Sequence, residues 1–304
     1  MTLVTTSKRF SIANSSSIGD ALERASQFLD AHHCFYGHGT DNAWDEVVSA
    51  FVHFSGISHH TGPEILQEPF PEEHSDIFEI AVNRRAIEKM PMPYITGIAW
   101  FCGHQFHVNR NTLIPRSPMA ELIQSEFRPW LTERPSRILD LCCGSGCIGI
   151  AAALLNESAA VVLSDVSAEA IEVAQQNIRR HELESRVAAV KGDLFEKVTP
   201  ESFDVILCNP PYVDIDDLTT MPEEYHQEPI LALEAGDDGL DLARKVLQRS
   251  ANYLTDNGAL ILEVGNSWRH LEKAYPNVSF TWVEFEHGGH GVCVMLKAEL
   301  EQYA

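Results

Sequence analysis

From residue 137 to residue 264, short apolar runs alternate with longer segments of helical spacing, and few architectures accommodate such a chain. The apolar runs occupy residues 137–141, 160–164, 187–190, 203–208 and 259–264. Segments of ten or more residues separate most of them, too long for hairpin turns, so neighbouring strands must pair in parallel across helical crossovers. One such helix is expected over 168–181 with Ser167 as its N-cap, and another over 240–254, closed by Asn257-Gly258. The result is an α/β fold: a doubly wound, mostly parallel sheet with helices on both faces. Its end differs. Residues 280–285 and 292–296 read as strands joined by His287-Gly288-Gly289-His290-Gly291, an antiparallel hairpin.

The first third has another character. Ile18, Ala21, Leu22, Ala25 and Leu29 recur at three and four residues, the spacing of one buried helix face. Trp44, Val47, Val48 and Phe51 repeat the pattern, as do Ile77, Ile80, Ala81 and Ile87. Residues 1–92 are therefore expected to form a small helical domain. Residues 93–118 form a β-hairpin linker, in which Phe106 and Val108 alternate with polar residues, Asn109-Arg110-Asn111 turn, and Leu113-Ile114 resume. Pro115 and Pro118 stop it before a helix over 119–127, which opens the third region, 119–304.

Composition excludes several classes. No run reaches the roughly 18 apolar residues of a membrane span. Residues 1–12 lack the apolar core of a secretory signal, so a cytoplasmic location is expected. Of seven cysteines, Cys142, Cys143 and Cys147 cluster, but C-C-x-x-x-C lacks the paired C-x-x-C form of a zinc site, and no metal is expected. The adjacent pairs His32-His33 and His59-His60 cannot face one another on a helix and read as exposed or capping residues. The formal charge of -22 opposes a phosphate-gripping surface, so no nucleic-acid substrate is expected. That charge is either a solvated acidic surface or an attraction for a basic partner.

Directly after the first strand stands Asp140-Leu141-Cys142-Cys143-Gly144-Ser145-Gly146-Cys147-Ile148-Gly149. Small residues here let backbone approach a ligand and let the next helix start close to the sheet. Asp165 ends the second strand about 20 residues on, where ribose hydroxyls of a nucleotide would lie. The candidate cofactor residues are Asp140, Cys142, Cys143, Gly144, Ser145, Gly146 and Asp165. Gly192-Asp193-Leu194-Phe195, after the third strand, adds Asp193 and Leu194: Asp193 accepts from an adenine amino group or caps the next turn. These features indicate an adenosine cofactor without choosing between NAD and S-adenosylmethionine.

The choice comes from Asn209-Pro210-Pro211-Tyr212, after the fourth strand. An amide nitrogen is a poor nucleophile because its lone pair is delocalised into the carbonyl. Two acceptors that hold its N–H groups aim that lone pair at a methyl. The Asn209 side-chain oxygen and the Pro210 carbonyl supply them, and two prolines make the loop rigid. Tyr212 offers a flat face for a planar amide. Asn209, Pro210 and Tyr212 are thus the catalytic candidates, with Pro211 joining them in substrate binding and Asn209 also facing the cofactor. An oxidoreductase reading gives no reason for this loop.

Together these motifs resemble the amino-methyltransferase superfamily, in which an antiparallel hairpin closes the doubly wound sheet. Tyr94-x-x-Gly97, Ala99-Trp100-Phe101-Cys102-Gly103 and Leu113-Ile114-Pro115-Arg116-Ser117-Pro118 before Glu121-Leu122-Ile123 are similar to the bacterial N5-glutamine methyltransferases. Pro-Arg-Ser-Pro, where the release-factor branch reads Pro-Arg-Pro-Glu, resembles the branch acting on large-subunit ribosomal protein three. The resemblance spans the chain from about Ser17. It implies S-adenosylmethionine as cofactor, a class I methyltransferase fold, methylation of a glutamine N5, and a helical N-terminal domain that recognises a basic protein. A release factor is the alternative substrate, and adenine amino groups of nucleic acid a more distant one. One departure is Cys142, where the family's loop has its first glycine. Arg116 contacts a cofactor carboxylate, contacts the substrate or ties the hairpin to the acidic surface; the last is favoured.

Overall fold

The computed structural model describes residues 9–13, 15–58, 61–199 and 202–302; His59, His60 and residues 1–8 lie outside them. The chain divides into two compact units, residues 1–98 with 222–227, and residues 99–221 with 228–304.

The first unit packs α1 (Ile18–Ala31), α2 (Ala43–Ser55), α3 (Glu72–Ile87) and the short α4 (Met92–Thr96). Ser17 and Asn42 cap the first two helices by accepting from the backbone N–H of Asp20 and Asp45. The expected face of α1 is buried throughout. On α2, Val47 and Phe51 turn inward while Trp44 is exposed. Helix α3 corrects the sequence reading. Ile77, Ile80 and Ile87 are 46%, 59% and 51% exposed, and the inner face is Phe78, Ala81, Val82, Arg85 and Ala86. Two stripes of the same period run along this helix, one position apart. The inner one wins because Phe78 meets Phe51 and Phe70, and because Arg85 finds partners there. Its Nε reaches Glu46 Oε1 at 2.7 Å, Nη1 reaches Glu224 Oε1 at 2.9 Å and Nη2 donates to the Phe35 carbonyl at 2.6 Å. A buried arginine with its donors matched in this way is tolerated where an unpaired one is not.

A hairpin follows, β1 (Ile98–Phe101) and β2 (His104–His107). It turns at Cys102-Gly103, with φ of 49° and 78°, earlier than the Asn109–Asn111 position read from sequence. Two consecutive left-handed residues make the tight turn whose twist matches paired strands. Asn177 fixes β2 by accepting from the His107 N–H at 2.7 Å and donating to its carbonyl at 3.0 Å.

The second unit continues through α5 (Met119–Gln124), β3 (Arg137–Leu141), α6 (Cys147–Leu155), β4 (Ala160–Asp165), α7 (Ala168–Arg180), β5 (Val187–Lys191), β6 (Phe203–Cys208), α8 (Ile215–Thr220), α9 (Asp241–Ser250), β7 (Leu254–Glu263), α10 (Trp268–Ala274), β8 (Thr281–Trp282) and β9 (Val292–Leu296). The seven-stranded sheet runs β5-β4-β3-β6-β7-β9-β8, parallel from β5 to β7, with β9 antiparallel to both neighbours. Burial alternates with period two: Ile138, Val161, Val205 and Ala259 face one core, Leu139, Ile206 and Leu260 the other. Boundaries moved where a long strand outran its turn signal. Asn257-Gly258 lies within β7 instead of closing α9, and β8 is two residues long where six were read.

Candidate active site

Strand order reverses at β3, whose neighbours β4 and β6 continue in opposite directions, and ligands of open α/β sheets bind outside the carboxyl ends at such a switch. A cavity of about 200 Å³ opens there. Its wall takes Cys142 to Ser145 after β3, Asp165 at the end of β4, Asp193 and Leu194 after β5, and Asn209 and Pro211 after β6. Motifs dispersed over 70 residues of sequence thus meet in one site.

Asp140 is not on that wall. It is 1% exposed, and its Oδ2 accepts the Gly149 N–H at 2.8 Å, which fastens the first turn of α6 to the end of β3. Burial pushes its carboxyl up to about 7, against the opposing pull of the Gly149 N–H. Gly146 is also off the wall and serves as the N-cap of α6. The helix starts this close to the sheet because position 149 is glycine: a Cβ there would stand 2.4 Å from Leu163 Cδ2. Cys142 adopts φ 56°, the left-handed conformation a glycine takes freely and a cysteine only under constraint. Burial pushes the Cys143, Cys147 and Cys208 thiols well up, so they stay protonated at neutral pH.

Asp165 is placed by backbone. Its two oxygens accept from the Gly144 and Ser167 N–H groups, each at 2.9 Å, while partial burial raises its carboxyl. Ser164 Oγ donates to the Leu194 carbonyl at 2.7 Å and so sets the loop after β5. Among the described residues the Ser145 hydroxyl, 2% exposed and on the wall, has no nitrogen or oxygen partner, only the neighbouring Cys147 thiol. A carboxylate with spare lone pairs, a hydroxyl with no nitrogen or oxygen partner and an apolar patch of Leu194 and Ile148 suit the diol, polar tail and base of an adenosyl ligand.

Asn209 follows β6 directly, and no hydrogen bond from a described residue engages its carboxamide. Its loop is held from behind. Pro210 is buried, and neither it nor Tyr212 is among the residues lining the cavity. The Tyr212 hydroxyl donates to Glu263 Oε1 at 3.1 Å, and Ser117 Oγ donates to the other carboxylate oxygen at 2.5 Å. Burial raises Glu263, and these two hydrogen bonds with the nearby Arg116 charge oppose that rise. Ser267 Oγ donates to the Tyr212 carbonyl at 2.8 Å, and the ring lies against Gly265. Arg116 forms a fork with Glu228, Nη1 to Oε1 at 2.6 Å and Nη2 to Oε2 at 2.7 Å, while the Ile114 N–H shares Oε1 at 3.0 Å. Glu228 is buried, so this fork joins the hairpin exit to the segment after residue 227. Sequence reading missed Glu263, Ser117 and Glu228. A lone acid closing the apolar run of β7 was a usable signal for Glu263; Glu228 had none.

A doubly wound sheet closed antiparallel, with a cavity at its switch point that takes Asn209 and Pro211 of Asn-Pro-Pro-Tyr on its wall, defines a class I methyltransferase for which S-adenosylmethionine is the methyl donor. The methyltransferase small domain family model matches residues 124–223. The chain belongs to the ribosomal protein uL3 glutamine methyltransferase family. It is 43% identical over 294 residues to the Francisella tularensis member, covering 96% of this chain and 94% of that one. To the Bordetella pertussis member it is 39% identical over 289 residues, covering 92% and 95%. Among solved structures, the hMettl16 catalytic domain in complex with MAT2A 3′UTR hairpin 6 superposes with a TM-score of 0.54 at 14% identity, covering 83% of this chain and 92% of that one, and shares the fold. No helix of the described residues is long and apolar enough to cross a membrane.

Proposed function

We propose that this chain transfers a methyl group from S-adenosylmethionine to the side-chain amide nitrogen of a glutamine in ribosomal protein uL3. The observation that carries the reading is Asn209: an unengaged carboxamide on a rigid loop, in the same cavity as the glycine loop and Asp165. In this reading the Asn209 oxygen and the Pro210 carbonyl accept the two N–H groups of the glutamine amide. That orients the nitrogen lone pair toward the methyl; as the N–C bond forms and the sulfonium C–S bond breaks, one of the two amide protons is lost to water, and catalysis is positioning for in-line transfer. S-adenosylmethionine, when bound, supplies a methyl activated on sulfonium sulfur. Asp165 takes the ribose hydroxyls, and Ser145, Asp193 and Leu194 complete its seat. Pro211 shapes the wall, and Tyr212 acts by anchoring the loop.

The acidic balance supports this substrate over nucleic acid. A chain of formal charge -22 repels a phosphate backbone and attracts a basic ribosomal protein. Recognition of the protein involves the N-terminal helical unit, and the reaction belongs in the cytoplasm, where ribosomal proteins are made. Mass spectrometry of uL3 from cells with and without this chain tests the reading. One glutamine is expected to lose a single methyl in its absence; an unchanged uL3 would overturn the assignment.

A further inference from the structure

At the cavity mouth the chain holds two large aliphatic side chains out in water. Ile230 and Leu231 lie in a single 3-10 turn, 53% and 58% exposed, and Leu231 lines the cavity together with Asn209. This turn is held from both sides. Before it, Glu228 is 5% exposed and forked to Arg116. After it, Leu233 is 4% exposed and its carbonyl accepts the Val213 N–H at 2.8 Å, while the Ala235 N–H donates back to the Val213 carbonyl at 3.0 Å. The anchoring joins the turn to the residue immediately after Tyr212, so the lip and the catalytic loop keep a fixed spacing. Apolar surface fixed in water beside a reaction site is the mark of a surface that a partner covers.

The flanking chain states what chemistry that partner has. Residues 213–221 and 228–241 carry eight carboxylates and no lysine or arginine. Of these, Asp216, Glu234, Asp237 and Asp241 are exposed.

We propose that Ile230 and Leu231 form a docking lip for the substrate chain, covering an apolar residue next to the target glutamine, with the surrounding carboxylates taking basic residues further along. The proposal rests on the protein-glutamine reading above and adds how the target segment is chosen. Charge complementarity selects a basic polypeptide over a second copy of this acidic chain, and the lip fixes the register of its glutamine at Asn209.

The test uses the full-length chain and unmethylated uL3, with methyl transfer measured at varied uL3 and the S-adenosylmethionine Kd measured by titration. Ile230→Ser, which removes apolar surface that does not line the cavity, is expected to raise the KM for uL3 about tenfold, with kcat and the cofactor Kd unchanged. Asp216→Asn with Asp237→Asn is expected to raise KM at low salt and to weaken its rise with ionic strength. A KM for Ile230→Ser within twofold of wild type would overturn the lip. So would a wild-type dimer that the same variant converts to monomer, since that would give the surface to a second copy. Failure of wild type to methylate uL3 at all would instead overturn the functional reading.

Discussion

The Tyr212 hydroxyl and the Glu263 carboxylate are joined at 3.1 Å, and through them the loop of residues 209–212, proposed to be catalytic, is fastened to the end of the neighbouring strand. Glu263 is 4% exposed and accepts from Ser117 with its other oxygen, so the hairpin exit, the loop and β7 meet at one group. Tyr212→Phe removes one arm of this bridge and leaves the carboxylate buried with fewer donors. The expected outcome is a loss of about 1–3 kcal/mol in denaturant unfolding. Turnover should fall about tenfold while the cofactor Kd holds, because the loop loses its aim rather than its cofactor seat.

Gly265→Ala attacks the same loop sterically. Position 265 has φ 45°, and a Cβ there would stand 2.5 Å from Tyr212 Cε2. The ring must shift, so activity should drop at least as far as in Tyr212→Phe, with a stability loss of about 1–3 kcal/mol. Parallel unfolding and activity measurements on the two variants check the order.

Asp140 makes stability pH-dependent. Its carboxyl is pushed up to about 7 by burial, from an ordinary value of 3.8. Between those pH values the folded chain holds a proton that the unfolded chain releases. Stability from this group therefore falls as pH rises through the window and is flat above it. Asp140→Asn cannot titrate, so its Tm relative to wild type should climb between pH 5 and pH 8. Calorimetry at several pH values would show this, and a constant difference would contradict it.

Arg85→Met leaves Glu46 and Glu224 buried in the helical unit without their guanidinium. Stranded buried carboxylates cost about 3–5 kcal/mol, so this unit should melt well below wild type. Glu46→Gln, which keeps a neutral acceptor, should melt between the two.

The parts of the fold that were legible in sequence are those set by repeated local pattern. The β3 to β7 alternation could be read because the central strands β3, β6 and β7 are buried on both faces and each run is continuous in sequence. The cavity residues could be read because glycines, an acid and two prolines occupied the right strand ends. What could not be read depended on partners distant in sequence. Helix α3 carries two apolar stripes, and partners distant in sequence, Glu46 and Glu224 for Arg85 and Phe51 for Phe78, decide which faces in and leave the isoleucines out. The partner of the Tyr212 hydroxyl could not be read because Glu263 lies 51 residues on. The hydrogen bond from the Gly149 N–H to Asp140 could not be read because the position of Asp140 near the end of β3 is the same whether it faces a cofactor or that N–H.

Single-turnover methyl transfer by Asn209→Ala, with the S-adenosylmethionine Kd measured on the same preparation, tests the claim that the loop holds the glutamine amide. The account expects the rate of methyl transfer to uL3 to fall on the order of 10²–10³-fold, with a cofactor Kd within about threefold of wild type. Transfer at near wild-type rate would contradict it, since the amide would then be oriented by something other than Asn209.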